Sequence, residues 1–258
     1  MEVHHHPEVE HKSFKEYLLE GLMIFLAVMM GFIAENIRES ITEHNRAKEY
    51  AETMVSNLAA DTVTLNNLTN YLTIASRNVD TLIQLIASND IKNIPTGKLY
   101  WYGLYGGAQL AFTPNDATFE QMRSSGSLRY FEKKIGIEVA QYDWLCRSMQ
   151  SDVNRDQGVY LEVRKLRSGL FKFQYNMEAN DIFQKDIFNK NHKVSYTRVR
   201  AFLKSNPPLL SYDQLAFNQY VELVRSRFLD RMLTKAQQLD KSAVKLLIDL
   251  KKEYHIDN

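Results

Sequence analysis

The sequence predicts an all-α protein in which one N-terminal transmembrane helix continues into an antiparallel bundle of long helices. Only 5 prolines and 10 glycines occur in 258 residues, so long stretches contain no helix breaker. An uncharged apolar stretch near the N-terminus is followed at once by apolar residues at helical spacing. With 45% hydrophobic and 24% charged residues, the chain has the composition of a folded protein with a sizeable core.

The apolar stretch LMIFLAVMMGFIA covers residues 22–34, and no charged residue occurs from Gly21 to Ala34. A helix that is apolar on every side is buried in a protein core or in lipid. These residues span only about 21 Å, so residues 18–37 are needed to cross a hydrocarbon layer of about 30 Å. We therefore predict a transmembrane helix over 18–37. A helix buried in the protein core is the alternative.

A cleaved signal peptide fits the stretch less well. A signal peptidase requires a small residue at position −3 of the cut. Cleavage after Ala34 places Phe32 at this position, and cleavage after Gly31 places Met29 there. The amphipathic pattern also begins directly beyond the stretch and leaves no linker. These features favour an uncleaved signal-anchor. Basic residues flank the stretch on both sides and give the orientation no clear preference; we expect the tail inside and the domain outside.

Three small residues share one face of the predicted anchor. Ala27 and Gly31 are four residues apart, and Ala34 follows three residues later. Small residues at this spacing allow two helix backbones to approach closely in lipid, which predicts helix–helix packing through this face. The alternative is ordinary composition, because glycine and alanine are common in membrane helices.

An acid, Glu20, lies near the start of the predicted anchor. An ionisable group within a membrane span is costly and is therefore a functional hypothesis. It could pair with a basic residue of a partner or change protonation in an ion-coupled complex. The simpler interpretation, which we favour, places Glu20 in hydrated contact with the headgroups, since Lys15 lies only five residues earlier.

Beyond the anchor, residues spaced by fours and threes predict a helix that continues to about Ser88. The predicted seam consists of Ala51, Val55, Leu58, Thr62, Leu65, Thr69, Leu72, Ser76, Val79, Ile83 and Ile86. Long helices are predicted at about 38–88, 130–172 and 212–254, with a connecting region at 89–129. Three long helices with connecting elements are most economically arranged as an antiparallel bundle.

Four aromatic residues lie close together in the connecting region: Tyr100, Trp101, Tyr102 and Tyr105. They could form an aromatic ligand pocket or a belt at the lipid headgroups. Packing of these rings against the bundle is the interpretation that we favour. The neighbouring GLYGG sequence lacks the spacing and the βαβ context of a dinucleotide-binding loop.

Shorter polar motifs predict helix ends. Asn115 or Asp116 is expected to cap a short helix, and Gly126 is expected to end it. Ser211 with Gln214 has the spacing of a capping box at the start of the last long helix.

The sequence contains no recognisable catalytic or metal-binding motif. Four of the seven histidines lie in an N-terminal tail at 1–17, and the others are scattered without a ligand spacing. Cys146 is the only cysteine, and its place on an amphipathic helix predicts a small buried residue rather than a nucleophile. No nucleophile-elbow or phosphate-loop motif occurs. We therefore predict no enzyme activity, no cofactor and no metal site.

Two stretches resemble a known group of proteins: the opening HHHPEVEHKSFKEYLLEGLMIFLAVMMGFIAENIRE and the stretch ATFEQMRSSGSLRYF at 117–131. The group consists of bacterial membrane-anchored proteins, common in the Bacteroidota, that carry a domain of unknown function. Its features are a His-rich tail, an acid before a short hydrophobic helix, an AEN-like exit and a phenylalanine–serine–serine–glycine turn. The resemblance covers about residues 4–60 and 112–150. It implies a single membrane anchor and a periplasmic domain, and it implies no catalytic or ligand-binding residues.

These features predict a single-pass protein of the bacterial inner membrane that acts as a scaffold or protein-interaction module. The expected partners are the lipid bilayer and further copies of the chain or other membrane proteins. A formal net charge of +1 argues against nucleic acid as a partner, and no small-molecule substrate is indicated. One alternative is a small subunit of an ion-coupled or transport complex that uses Glu20. Another is a ligand sensor without its own output domain.

Overall fold

The computed structural model describes residues 13–107, 111–188 and 196–256. Over these ranges the chain is built from α-helices and short 3₁₀ and π segments, without β-strands. This confirms the predicted fold class, a long apolar N-terminal helix that leads into a helical bundle. Most of the predicted His-rich tail lies outside the described residues, and so does part of the aromatic loop.

In chain order the helices are α1 Phe14–Ser88, α2 Thr96–Tyr102, α3 Ala117–Ser125, α4 Lys133–Arg155, α5 Gln157–Leu170, α6 Phe173–Ile182, α7 Thr197–Lys204, α8 Gln214–Glu222 and α9 Asp230–Tyr254. The short 3₁₀ segments are Ile91–Asn93, Leu104–Gly107 and Ser127–Tyr130, and the π segments are Phe183–Phe188 and Leu223–Leu229.

Helix α1 has 75 residues and is therefore about 110 Å long. At its start the backbone N–H of Ser13 donates a hydrogen bond of 2.8 Å to the Glu16 carboxylate, which satisfies one exposed donor of the first turn. At its end the backbone turns extended at Asn89. The helix is unbroken between these points, as the seam pattern predicts.

Helix α9 packs along α1 in the opposite direction. Its C-terminal Tyr254 lies against His44 near the start of the bundle, with ring centroids 5.8 Å apart. At the other end, Arg225 precedes α9 and its Nε lies 2.6 Å from the Asp80 carboxylate of α1. The two contacts fix the antiparallel direction over most of the bundle.

Helix α4 packs against α9, again antiparallel, through a cluster of ion pairs. Lys134 lies 3.1 Å from Asp249, and Lys245 contacts both Glu138 and Asp249. Hydrogen bonds from Lys245 first, and then from Lys134, lower the pKa of Asp249 to about 2. Helices α1, α9 and α4 thus form an up–down–up layer.

The buried face of α1 differs from the predicted seam at four of its eleven positions. The seam residues that are buried as expected are Ala51, Leu58, Leu65, Leu72, Ser76, Val79 and Ile86. The intervening heptad positions are occupied by Met54, Asp61, Ala75 and Leu82, which are buried, while Val55, Thr62, Thr69 and Ile83 are only half-buried. Both sets have helical spacing, and neighbours on two sides of α1 decide between them.

The other two predicted long helices are interrupted. The predicted helix at 130–172 is two helices, α4 and α5, which meet at Asp156. The predicted helix at 212–254 consists of α8, a π segment and α9 without a loop between them. The predicted connecting region at 89–129 contains α2 and α3.

The predicted caps are partly correct. Gly126 ends α3 in the left-handed conformation, with φ of 70°, as expected for a residue without a side chain. The capping box of Ser211 with Gln214 is wrong, because Asp213 caps α8 by accepting the backbone N–H of Leu215 at 2.8 Å. The Gln214 side chain instead bonds the backbone at the end of α1.

Candidate functional site

The N-terminal part of α1 projects beyond the bundle. An 18-residue window here has a mean hydropathy of 2.1, and none of it is buried. The first buried residue of α1 is Ala47. This is the one helix in the described part of the chain that is long and apolar enough to cross a membrane. The alternative of a helix buried in the core of this chain is wrong.

The structure places the predicted packing residues on this projecting part. Ala27, Gly31 and Ala34 are exposed, and a Cβ atom added to Gly31 would have no heavy atom within 4 Å. Glu20 lies two residues before the apolar stretch 22–34, and its side chain is partly covered. All four residues therefore lie on the projecting part of α1, away from the folded bundle.

The aromatic residues of the connecting region lie at the opposite end of the bundle. Tyr100 is buried, and its hydroxyl donates to the Pro208 carbonyl and accepts from the Lys172 backbone N–H, both at 2.9 Å. Trp101 lies against the rings of Phe183 and Phe202. Tyr102 is half-buried. These contacts join α2 to the segments that follow α5 and α6.

Tyr105 completes this aromatic cluster. Its ring is edge-on to Phe183, with centroids 5.4 Å apart, and its hydroxyl accepts a 2.7 Å hydrogen bond from the Asn78 side chain. Burial raises the pKa of the Tyr105 hydroxyl and raises that of neighbouring Tyr71 to about 12. The rings fill the space between α1, α2 and the π segment after α6, so their position is that of core packing.

A second candidate site, which sequence reasoning missed, is a cavity of about 210 Å³ between α1, α4 and the loop before α3. Its wall is mostly apolar and includes Met54, Leu58, Pro114 and Phe119. Polar side chains enter it from both helices. Such a combination is typical of small-molecule sites.

Asp61 is the buried acid of this cavity, with 2% of its surface exposed. One carboxylate oxygen accepts the Asn115 side-chain amide at 2.6 Å and the Asn115 backbone N–H at 3.1 Å. The other oxygen accepts the Tyr142 hydroxyl at 2.8 Å. Asn115 thus holds the loop on α1. Asp116 occupies the N-cap position of α3, but its side chain makes no capping hydrogen bond there.

Two residues of α4 extend the polar side of the cavity. Asp143 is buried and forms an ion pair with Arg147. Cys146 is also buried, and burial raises the pKa of its thiol to about 12, with a further contribution from nearby Asp61. The burial of Cys146 agrees with the prediction of a small buried residue.

One signal in the sequence points to this site. Asp61 is the only charged residue between Thr53 and Ser76, and it lies three residues after Leu58 and four before Leu65, although the predicted seam takes Thr62 at this point. A charge at such a position is buried against a neighbouring helix, where it requires polar partners.

Comparison of the chain with protein-family models, with curated proteins and with solved structures finds no match.

Proposed function

We propose that residues 18–37 anchor the protein in the bacterial inner membrane and that the bundle is a scaffold or protein-interaction module without catalytic activity. The projection of the apolar part of α1 away from the bundle carries this proposal. Exposed apolar surface of this extent is typical of a site that lipid or another protein covers. Lipid accounts for an apolar surface that surrounds the whole helix.

The geometry beyond the anchor supports a membrane-proximal bundle. Residues 38–46 are mostly exposed and polar, and they separate Ile37 from the first buried residue, Ala47, by about 15 Å of helix. The headgroup layer on each side of a bilayer is about 5–8 Å thick. The bundle therefore starts just outside the headgroups. Because α1 contains no proline, it joins anchor and bundle stiffly.

A periplasmic bundle and membership of the Bacteroidota group are parts of this proposal that rest on the sequence resemblance. A C-terminal fusion to alkaline phosphatase, which is active only in the periplasm, tests the orientation. A fusion to green fluorescent protein is the matched control, since it fluoresces in the cytoplasm. Fluorescence without phosphatase activity would contradict the periplasmic orientation.

Self-association through Ala27, Gly31 and Ala34 is the form of scaffolding that the exposed anchor supports best. The test is chemical cross-linking of the full-length protein in native membranes. We expect a dimer band that Gly31→Leu removes, because a leucine would hold the two backbones apart. Gly21→Leu is the control, since Gly21 is equally open but lies on another face of α1.

Equal cross-linking in wild type and Gly31→Leu would refute packing through this face. Cross-linking to other proteins alone would favour an interaction module for different partners, and mass spectrometry of the cross-linked bands would identify them. Loss of the dimer in both glycine variants would show that insertion of the helix, rather than its packing face, had been disturbed.

A further inference from the structure

The cavity beside Asp61 carries an excess of negative charge. The acids that line it are Asp61, Asp116, Glu120 and Asp143, whereas Arg147 is its only basic residue, which gives a formal charge of −3. Glu120 pairs with Arg123 outside the cavity, and Asp143 pairs with Arg147. Asp61 is buried and has no ion pair with any described basic residue.

The hydrogen bonds of Asp61 satisfy its oxygen atoms but bring no positive charge to them. A carboxylate offers about four acceptor positions, and here four hydrogen bonds from Asn115 and Tyr142 reach it, two on each oxygen. These donors are neutral groups. Removing a carboxylate from water costs several kcal/mol even after structural relaxation, and a cation in direct contact offsets this cost most effectively. The charge of Asp61 is therefore complementary to a positively charged ligand.

The apolar wall determines which kind of cation fits. Leu58 and Phe119 line the cavity together with the Tyr142 ring, and aromatic faces attract cations as well as apolar groups. A dry cavity of about 150 Å³ holds benzene. A cavity of about 210 Å³ therefore has room for a benzene ring and a short chain.

The structure does not favour a metal ion at this position. Among the described residues, no group of three or more histidine, cysteine or acidic side chains could hold a metal. Divalent cations such as Ca²⁺ require six or more oxygen ligands, which this mostly apolar wall does not offer.

We propose that this cavity binds a small organic monocation, with its ammonium group against Asp61 and its apolar body against Leu58 and Phe119. This site does not depend on the membrane anchor, because all its residues belong to the bundle. It supports the ligand-sensor alternative for the chain, since Asp61 lies on the same helix as the anchor.

The test compares three probes of nearly equal size and different charge. Full-length protein in detergent micelles is titrated calorimetrically with 2-phenylethylammonium, 2-phenylethanol and phenylacetate. We expect the ammonium to bind about tenfold more tightly than the alcohol, since a hydrogen bond between two charged groups is about twice as strong as a neutral one. We expect no binding of phenylacetate. Equal binding of the three probes, or no binding of the ammonium at millimolar concentration, would overturn the proposal.

Asp61→Asn locates the site, because it removes the charge and nearly keeps the shape. We expect this variant to bind the ammonium no better than the alcohol. Asp240→Asn is the control, as Asp240 is an acid of α9 that does not line the cavity. A charge preference that survives in Asp61→Asn would refute the site. If Asp61→Asn does not fold, the wild-type probe series still decides whether the cavity prefers a cation.

Discussion

Two arginines in the middle of the projecting helix test the anchor directly. Phe25 and Met29 are one turn apart on α1, and 61% and 41% of their surfaces are exposed. Neither residue contacts the bundle, so a double variant with Phe25→Arg and Met29→Arg leaves the bundle core unchanged. Any change in behaviour therefore reports on the surroundings of the projecting helix.

The expected effect follows from the free energy of inserting the helix into a membrane. Residues 18–37 contain ten Leu, Ile, Phe or Val side chains, which favour insertion by about 3–6 kcal/mol in total at roughly 0.3–0.6 each. Two arginines near the centre oppose insertion by about 5–7 kcal/mol. The double variant therefore loses most or all of the driving force for insertion.

Flotation in a sucrose gradient after alkaline carbonate extraction measures this loss. We expect wild type to float with the lipid and the double-arginine variant to remain at the bottom. Val63→Arg with Leu161→Arg is the control, because both positions are exposed on the bundle and it carries the same added charge. Flotation of the double-arginine variant, or a wild type that stays soluble and monodisperse without detergent, would refute the anchor.

Three further predictions concern the bundle, each measured by urea unfolding of the detergent-solubilised chain. Tyr142→Phe should lower the free energy of unfolding by about 1.5–3 kcal/mol, because it removes a buried hydrogen bond to a charged group. Its control, Tyr212→Phe at a more exposed hydroxyl, should lower it by under about 0.5 kcal/mol. Leu82→Ala should lower the free energy of unfolding by about 2–5 kcal/mol, clearly more than Ile83→Ala, since only Leu82 is fully buried. Equal losses in the two variants would contradict the register of α1. The pKa of Asp249 is about 2 in the folded chain and 3.8 ordinarily, so its ion pairs stabilise the fold fully above pH 3.8. This contribution is lost as the pH falls towards about 2. Asp249→Asn should therefore flatten the dependence of stability on pH between these values, and an unchanged slope would argue against the ion pairs.

The course of α1 could be predicted because local pattern determines it. Its first part is apolar on every side, and its second part repeats by threes and fours without a glycine or proline from Ala34 to Ser88. The break between α4 and α5 could not be predicted in this way. Apolar residues continue at helical spacing from Val153 through Tyr160 to Val163, so the pattern contains no sign of the end at Asp156.

The surroundings of the aromatic residues depend on contacts between distant parts of the chain. Tyr105 packs on Phe183, and Tyr100 bonds the carbonyl of Pro208, in each case more than seventy residues away. The sequence around 100–105 is the same whether these rings line a pocket or fill a core. Only the position of the distant residues distinguishes the two, and no local periodicity encodes it.

Asp61 and the anchor lie on one continuous helix, which gives a quantitative test of whether the two sites communicate. Asp61 is 24 residues beyond Ile37, or about 36 Å along the helix, and Tyr142 holds it to α4. A cation at Asp61 that shifts α1 against α4 would change dimerisation through Gly31 by some factor. Thermodynamic linkage requires dimerisation to change the affinity for the cation by the same factor.

We therefore expect 2-phenylethylammonium to alter the yield of cross-linked dimer in wild type and not in Asp61→Asn. Gly31→Leu should then change the affinity for the ammonium in the matching direction. An altered yield without this reciprocal change would show that the probe acts on the lipid and not through α1.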